Sequence, residues 1–462
     1  MKTTSSKKGP PHRLRAQAAV RNAPAGLAIP LAVSPYSGAL ERSGPPLAEV
    51  LRDAALRVVG VSEGRSLAIE AMSSQAGFHA LRGALLDVTH GTLRQYGRGA
   101  GIVKLLSGRP AGQPVEALLW CAVYALDSGR YAAYTVVDQA VRACAMLGCQ
   151  GASGYVNGLL RTYLRQKVDI ETQLEGNPEA KWQHPAWWIE IVRAAYPESW
   201  REILLSGNSR PPMCLRVNLR KNTLVQYRAR LAEQGMPARQ LGNAGLVLET
   251  PVAVEKLPGF AAGDVSVQDA GAQIAAVLLD LQDGQRVLDA CAAPGGKTGH
   301  IAESANVTVT ALDVDPDRCL RIGQNMTRLG LAASIMVGDA AKPDKWWDGI
   351  AYDRVLVDMA CSSSGVVRRR PDIKWLRRHQ DIAAYAAKQA GVLQALWPVL
   401  APSGKLLYAT CSVFPAENER VIENFLERTS SARRLEPTGG AAQLSPNSDH
   451  DGFFYALLEK RA

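Results

Sequence analysis

The sequence lacks any long hydrophobic run. Its 462 residues are 47% hydrophobic, but no apolar stretch approaches the roughly 18 residues that a membrane-spanning helix needs. The longest apolar run near the N-terminus, residues 25–33, is interrupted by Pro30. We therefore expect no membrane association. The length predicts about three domains with their own cores.

Paired cysteine motifs are missing as well. The eight cysteines are spread along the chain, and no two of them have CxxC spacing. This distribution argues against a zinc site and against a disulfide framework. We therefore expect no metal and a reducing, cytoplasmic location.

Acidic residues are absent from the first 40 positions, which contain six Lys or Arg. Such a composition predicts a disordered basic arm over residues 1–44. An organellar targeting segment has the same composition, so organellar targeting remains open. The whole chain has 53 basic and 43 acidic residues and a formal charge of +10. This excess favours a polyanionic partner such as nucleic acid, although a solvated basic face would give the same count.

Two kinds of periodicity precede the C-terminal part of the chain. Apolar residues spaced by three and four predict an all-α domain over residues 45–170. Residues 171–262 combine linker helices with a small α/β unit, in which residues 213–217 alternate as a strand and Thr223 suits a helix N-cap.

From residue 263 to the C-terminus, short strands alternate with helices. This alternation predicts a parallel sheet wrapped by helices, with ligands bound at the carboxyl ends of the strands. The predicted helix over residues 316–329 keeps one apolar face. The predicted strands cover residues 286–290, 308–314, 354–358 and 405–411.

The segment "DACAAPGGKT" raises the question of which nucleotide it binds. A P-loop needs Gly-x-x-x-x-Gly-Lys-Ser/Thr, but Cys291 stands where the first glycine belongs. The dinucleotide motif GxGxxG is absent too. What remains is a strand ending near Asp289, a glycine-bearing turn and a helix starting near Lys297. This arrangement favours a nucleoside ligand without a pyrophosphate, such as S-adenosylmethionine (AdoMet).

Acidic residues stand at the ends of four successive predicted strands: Asp289, Asp313, Asp339 and Asp358. A carboxylate at the end of the second strand, 24 residues after Asp289, has the position of one that grips ribose hydroxyls. Any one of them alone could be a helix cap or a loop residue. Together they favour a binding site at this edge of the sheet.

Two cysteines end predicted strands at the same edge. Cys361 follows residues 354–358, and Cys411 ends residues 405–411. Carbon 5 of cytosine is a poor nucleophile, but addition of a thiolate to carbon 6 activates it toward a methyl donor, and a second thiol could assist the later elimination. Elsewhere a free cysteine is usually a small core residue, which we expect of Cys121, Cys144 and Cys319.

At these motifs the sequence resembles the NOL1/NOP2/Sun family of RNA cytosine-C5 methyltransferases, and among them the bacterial members that act on small-subunit (16S) rRNA. The matching segments include "YVNGLL", "RPPMCLRVN", "LDACAAPGGKT" and "ATCSVFPAENE". The resemblance implies a Rossmann-like AdoMet-dependent methyltransferase domain over residues 263–462. It also implies a preceding NusB-like all-helical RNA-binding domain over residues 45–170, and a small RRM-like α/β unit within residues 171–262.

The same resemblance implies roles for individual residues in a monomeric enzyme. Cys411 would be the nucleophile, Cys361 would aid product release, and Asp358 would contact the target base. The implied AdoMet-binding residues are Cys291, Ala292, Ala293, Pro294, Gly295, Gly296, Lys297, Asp313, Asp339 and Asp358. The basic residues expected to contact RNA phosphates are Arg210, Arg216, Arg368, Arg369, Arg370 and Lys374.

One departure from the family pattern concerns the loop before Cys361. The family has Asp-Ala-Pro-Cys, whereas this chain has Ala360 in place of the proline, which frees a backbone φ angle. Two alternatives stay open. The chain could be an RNA-binding ribosome assembly factor with a non-catalytic methyltransferase domain, or it could methylate a tRNA or another rRNA cytosine.

Overall fold

Three groups of secondary structure follow one another in the computed structural model, which describes residues 47–67, 79–436 and 442–462. The predicted basic arm, residues 1–44, lies outside the described residues. No helix in the described ranges is long and apolar enough to cross a membrane.

The first group is all helical, as predicted. Its centre is the helix Val115–Asp127, where ten of 13 residues are buried because it is apolar on every side. Cys121 and Cys144 are fully buried in this core, which confirms them as core residues. The helices are α1 Leu47–Ser62, α2 His79–Arg94, α3 Tyr96–Leu106, α4 Val115–Asp127, α5 Ala133–Met146, α6 Ser153–Arg165, α7 Lys167–Leu174 and α8 Pro178–Trp182.

The second group contains three helices and a small antiparallel sheet. Thr223 caps its third helix as predicted: its side chain accepts a hydrogen bond from the Gln226 amide at 3.2 Å, and the Gln226 side chain bonds back to the Thr223 amide. The strands have the order β2-β3-β1-β4. The elements are α9 Ala186–Ala195, α10 Trp200–Asn208, β1 Met213–Val217, α11 Leu224–Glu233, β2 Ala238–Leu241, β3 Gly245–Leu248 and β4 Val265–Val267.

The third group wraps helices around a larger sheet of order β10-β12-β9-β8-β5-β6-β7, with β11 paired to β12. Its elements are α12 Ala270–Leu278, β5 Arg286–Ala290, α13 Gly296–Ser304, β6 Thr308–Asp313, α14 Pro316–Leu329, β7 Ser334–Val337, β8 Tyr352–Asp358, α15 Ile373–Leu376, α16 His379–Leu396, β9 Leu400–Thr410, α17 Glu419–Arg428, β10 Ala432–Leu435, β11 Gln443–Leu444 and β12 Phe453–Lys460.

The sheet is mixed, which corrects the expectation of a wholly parallel one. Strands β5 to β9 run parallel, but β12 pairs antiparallel with β9, β10 and β11. Short connections from β10 through β11 to β12 leave no room for the crossover helix that a parallel strand requires. The antiparallel strands therefore form one side of the sheet, next to β9.

The order of the parallel strands indicates where a ligand can bind. From β5 the chain proceeds outward through β6 and β7, whereas β8 and β9 lie on the other side of β5. The strand order thus reverses between β5 and β8, and ligands bind at the carboxyl ends of strands at such a switch point. The loops after β5, β8 and β9 meet there.

Candidate active site

The turn between β5 and α13 is shaped to approach a ligand closely. Gly295 has φ +92°, and a Cβ atom on it would lie 3.2 Å from the backbone of Ile322 in α14. A side chain at this position is therefore both strained and crowded. A Cβ on the next residue, Gly296, would meet nothing nearer than 4.0 Å. The turn is thus packed against α14 on one side and open on the other.

Asp313, at the end of β6, holds this turn in place. Its carboxylate accepts hydrogen bonds from the amides of Ala293 at 3.0 Å and Asp315 at 3.2 Å, and the Asp313 residue is only 2% exposed. The structure therefore gives Asp313 a supporting role that the sequence did not predict. Its contact with a ribose stays a prediction.

Asp289, at the end of β5, is fully buried beneath the turn. Oδ2 accepts a hydrogen bond from Thr298 Oγ1 at 2.6 Å, but Oδ1 has no partner among the described residues. Burial raises the pKa of this carboxyl to about 7, and the nearby charge of Asp358 acts in the same direction. Burying a charged carboxylate with an unused oxygen is costly, and the raised pKa shows that this position favours the neutral carboxyl.

Lys297 links the turn to the neighbouring strand. Its Nζ donates to Asp358 Oδ2 at 2.7 Å. Burial alone would lower the pKa of Lys297, but the Asp358 carboxylate raises it above its ordinary value. The site thus contains a fixed positive charge beside a carboxylate that is 32% exposed.

The two predicted catalytic thiols lie side by side. Cys361 follows β8 and Cys411 follows β9, and because these strands are neighbours their Sγ atoms are 3.4 Å apart. Cys361 is 6% exposed, whereas Cys411 is half-buried. The more accessible thiol is therefore the one expected to be the nucleophile.

The hydrogen bonds and charges around the two thiols also distinguish them, and they favour Cys411 as the nucleophile just as its greater exposure does. The hydrogen bond from Cys361 lowers the pKa of Cys411 and the positive charge of Lys297 adds to this, against the effects of burial and of the Asp358 carboxylate. The same hydrogen bond and burial raise the pKa of Cys361, and the charge of Glu417 adds to this. The arrangement therefore favours a thiolate at Cys411 and a protonated thiol at Cys361.

Two further sequence-predicted positions lie at the rim. Asp339 follows β7, and its carboxylate, 42% exposed, accepts from the Ala341 amide at 3.0 Å and lies 3.4 Å from Lys342 Nζ. Ala360 is exposed, and its carbonyl accepts from Gln389 Nε2 at 3.0 Å. The loop that lacks the family proline is thus fixed by a side chain of α16.

The structure corrects the RNA role predicted for Arg216. This side chain is fully buried, donates to both carboxylate oxygens of Glu303 at 2.8 and 2.9 Å, and donates to the Gly296 carbonyl at 2.8 Å. An arginine that has lost its solvent and is used in this way cannot bind a phosphate. It instead links the small sheet to the turn between β5 and α13, hereafter the cofactor turn (residues 291–296).

Arg368 and Lys374 are corrected for the same reason. Arg368 is 2% exposed, forms an ion pair with the buried Asp451 and donates to the Asn447 carbonyl at 2.7 Å. Lys374 is fully buried among oxygens, donating to the Gln183 carbonyl and to Asn208 Oδ1, both at 2.8 Å. Both residues hold the segment after Cys361 in place, so neither faces RNA.

The other three predicted RNA contacts stay predictions. Arg210 is 59% exposed beside Asp87, Arg370 is 44% exposed near Asp372, and Arg369 is 32% exposed between Asp269 and Asp451. Arg377 belongs to the basic run from Arg368 to Arg378 but was not among the individually predicted RNA contacts. Its Nε donates to the carbonyl of Ser362, next to Cys361, at 3.2 Å, and its guanidinium lies over Tyr385. The signal that could have found it is its place in the run of basic residues after Cys361.

Sequence reasoning also passed over Glu417, which lies buried behind both thiols and accepts hydrogen bonds from Ser362 and Ser412. It belongs to the quoted motif "ATCSVFPAENE", but a motif does not show which way a side chain points. Within the described ranges, no group of three or more His, Cys, Asp or Glu side chains could hold a metal ion.

Comparison with known proteins follows the same division of the chain. A family model described as 16S rRNA methyltransferase RsmB/F matches residues 276–459, an RsmF/B-like ferredoxin-like domain matches residues 184–255, and the NusB family matches residues 62–165. The predicted fold class is thereby confirmed, and the small α/β unit is of the ferredoxin-like type.

Individual relatives cover most of the chain. The ribosomal RNA small subunit methyltransferase B of Vibrio cholerae is 42% identical over 393 residues, which cover 83% of this chain and 90% of the relative. The protein of that name from Pseudomonas syringae pv. tomato is 42% identical over 401 residues, covering 82% and 90%. A solved methyltransferase homologue from Pyrococcus horikoshii is 25% identical, with a TM-score of 0.55 over 61% of this chain and 97% of its own.

Proposed function

The chain belongs to the ribosomal RNA small subunit methyltransferase B family and is an RNA methyltransferase, and from this premise we propose that it methylates carbon 5 of a cytosine in 16S rRNA with AdoMet as the methyl donor. The observation that carries the proposal is the pair of thiols, 3.4 Å apart, at the edge of the sheet where the cofactor turn also ends. A methyltransferase acting on an oxygen or an amino nitrogen has no need of a thiol nucleophile.

In the proposed reaction, the Cys411 thiolate adds to carbon 6 of the cytosine. A carbon–sulfur bond forms, and the ring electrons move to carbon 5 and toward N3. The half-buried position of Cys411 and the nearby Lys297 charge suit this addition, since the reactive species of a cysteine is its thiolate. The electron pair at carbon 5 then forms the new carbon–carbon bond to the methyl group, which AdoMet would supply with breaking of its sulfur–methyl bond to leave a thioether.

Release of the product requires the opposite changes. The carbon 5 proton passes to water, the carbon–sulfur bond breaks, and the electron pair returns to the Cys411 sulfur. Cys361, whose sulfur lies 3.4 Å from that of Cys411, would donate its thiol proton to the departing thiolate and so stabilise it. This contact is the physical basis for assigning product release to Cys361.

Asp358 and Lys297 are proposed to act on the base. Ring N3 gains electron density when the thiolate adds, and a proton shared with Asp358 would stabilise it. The Lys297 ammonium, bonded to Asp358 at 2.7 Å, compensates the negative charge of the carboxylate in a partly buried site. Such fixed charges stabilise a reacting group better than water does.

The residues present fit AdoMet, which supplies an electrophilic methyl group when bound. The outward face of Gly296 is open, and Asp289 has a buried oxygen without a partner in the described part of the chain. Val314 and Val337, at the ends of neighbouring strands, are 65% and 56% exposed and offer an apolar surface for adenine. Residues 291–297 would hold the methionine part, Asp313 the ribose and Asp339 the adenine side.

The RNA backbone is proposed to run along the basic surface beside Cys361. Arg377 uses its Nε for the Ser362 carbonyl, while no hydrogen bond or ion pair from its Nη groups is found in the described ranges. These groups and the exposed Arg378 and Arg370 offer donors to phosphates. A cytoplasmic location is proposed because the two thiols must stay reduced.

The test is methyl transfer in vitro together with bisulfite sequencing of RNA from a deletion strain. We expect label from methyl-tritiated AdoMet to enter 16S rRNA at one cytosine, and that position to lose its methyl group in the deletion strain. Transfer to tRNA alone would change the substrate. AdoMet binding without transfer to any RNA would identify a non-catalytic assembly factor.

A further inference from the structure

Behind the two thiols lies a buried carboxylate that the reaction described above does not use. Glu417 ends the short helical turn Pro415–Glu417 between β9 and α17 and is fully buried. Burial raises its pKa. A buried carboxylate is costly unless it is well hydrogen-bonded, so its partners indicate why it is there.

Those partners are the residues that follow the two thiols. Glu417 Oε1 accepts from the Ser362 amide at 2.7 Å, and Oε2 accepts from Ser362 Oγ at 2.5 Å and from Ser412 Oγ at 2.7 Å. Gln389 Nε2 lies 3.4 Å from Oε1 and also donates to the Ala360 carbonyl. One carboxylate thus grips the residue after Cys361 and the residue after Cys411.

The same two loops are joined by other bonds as well. Ser364 Oγ lies 2.9 Å from Ser412 Oγ, and the Gly365 amide donates to the Cys411 carbonyl at 2.8 Å. Because these bonds do not involve Glu417, the loops should stay associated when the carboxylate is changed. Loss of Glu417 should therefore alter the spacing of the thiols more than the fold.

The charges are distributed across the pair. Glu417 lies on the Cys361 side and contributes to the raised pKa of that thiol, whereas Lys297 lies on the Cys411 side and contributes to the lowered pKa there. Because Asp358 opposes Lys297 at Cys411, the hydrogen bond between the thiols and the charge of Glu417 near Cys361 are what favour different protonation states for the two.

We propose that Glu417 is a positioning residue for the thiol pair: through Ser362 and Ser412 it fixes the distance between Cys361 and Cys411 and makes the two chemically unequal. It contacts neither the substrate nor the reacting atoms. The effect on turnover rests on the proposed function, but the effect on the thiols does not.

The first test measures the thiols without RNA. In the full-length protein, iodoacetamide should alkylate Cys411 faster than Cys361, as read by peptide mass spectrometry across a pH series. Glu417→Gln keeps the shape and removes the charge, so the ratio of the two alkylation rates should fall about tenfold. The matched control is Glu419→Gln, because Glu419 is 39% exposed and pairs with Arg434 on the surface. This control should leave the ratio unchanged.

The second test measures turnover. Glu417→Ala should lower kcat about 100-fold, the scale of a displacement of about 1 Å at a reacting group, while the dissociation constant for AdoMet changes less than about threefold. Glu417→Gln should recover part of kcat because its amide can still bond the serines. A general loss of folding would lower thermal stability and AdoMet binding together.

The inference is overturned if Glu417→Gln leaves both the alkylation ratio and kcat at wild-type values. If Glu417→Ala does not fold, Ser362→Ala and Ser412→Ala each remove a hydroxyl that bonds Glu417, together with that hydroxyl's weaker local bonds, and the alkylation ratio should fall in both; an unchanged ratio in both overturns the inference as well. If the wild type transfers no methyl group to RNA, the proposed function fails, and the alkylation ratio still decides the role of Glu417.

Discussion

The two halves of the active edge are built differently. On the thiol half, after β8 and β9, the three serine side chains are buried and bonded to one another and to Glu417: Ser362, Ser364 and Ser412 are at most 4% exposed and all join the network around Glu417. On the cofactor half, after β5, β6 and β7, Val314 and Val337 are exposed and one oxygen of Asp289 has no partner among the described residues.

This difference assigns chemical reactivity to the thiol half and ligand binding to the cofactor half. On the thiol half, the bonds among the serines and Glu417 hold the two cysteine loops together within the chain itself. The cofactor half has exposed apolar surface at Val314 and Val337 that a nucleoside ligand would cover. We infer that the reactive group is preorganised by the fold, whereas the cofactor site is completed by its ligand.

The largest effect is expected where the two halves meet. Lys297→Met removes the ammonium that bonds Asp358 and favours the Cys411 thiolate, so turnover should fall about 100-fold. Loss of the positive charge also raises the pKa of Cys411, so its alkylation should require a higher pH. Lys405→Met, in the surface pair with Asp280, is the control. If the pH profile of Cys411 alkylation is unchanged in Lys297→Met, the Lys297 charge on the cofactor half has no effect on the thiol half, which would contradict this prediction.

On the cofactor half, Asp313→Ala should weaken AdoMet binding about 10-fold to 100-fold, since hydrogen bonds to a charged group are lost both to the turn and to the proposed ribose. Calorimetric titration with AdoMet measures this. RNA affinity should stay at the wild-type value, as should AdoMet binding in Asp348→Ala, which changes a surface pair with Arg286. Equal AdoMet affinity in Asp313→Ala would remove the residue from the site.

Ala360→Pro tests how firmly the thiol half is fixed. Ala360 is exposed, and its amide donates no hydrogen bond in the described part of the chain, so a proline removes no bond there. We expect folding to be retained and turnover to stay within about threefold of wild type, because Gln389 already holds this loop. A severe folding defect would show that the backbone path here is one that the family's proline cannot adopt.

The smallest effect is a pH dependence of stability from Asp289. Burial raises its folded pKa to about 7, so its contribution to stability is fully present below the unfolded pKa of about 4 and is lost as the pH rises through about 7. Asp289→Asn does not ionise. Its Tm relative to wild type should therefore improve by roughly 2–4 °C between about pH 5 and pH 8. A difference that does not vary with pH would contradict the buried-carboxyl account.

Much of the local structure could be predicted from the sequence. Strands β1 and β5 and helix α14 have the predicted bounds, because short, largely apolar runs mark the strands, and Pro316 and Gly330 mark the helix ends. The buried face of α14, including Cys319, was predicted from its period and is confirmed. The meeting of Cys361 and Cys411 was predicted from two strand ends, since neighbouring parallel strands bring their ends together.

The burial of basic residues could not be predicted. Arg216 is matched by Glu303, 87 positions away, and Arg368 by Asp451, 83 positions away. A local reading of charge treats such arginines as surface residues because nothing nearby in sequence shows the partner. The role of Glu417 could not be predicted for the same reason, since its hydrogen-bond partner Ser362 lies 55 residues earlier.

The central claim is that Cys411 forms the covalent bond to RNA and Cys361 releases it. The most direct measurement is to incubate each Ser variant with AdoMet and 16S rRNA and to look for protein–RNA bands that survive a denaturing gel, with Cys149→Ser as the control. We predict that Cys361→Ser accumulates the adduct and that Cys411→Ser forms none. An adduct with Cys411→Ser but not with Cys361→Ser would reverse the roles, and unaltered turnover in both variants would contradict thiol catalysis.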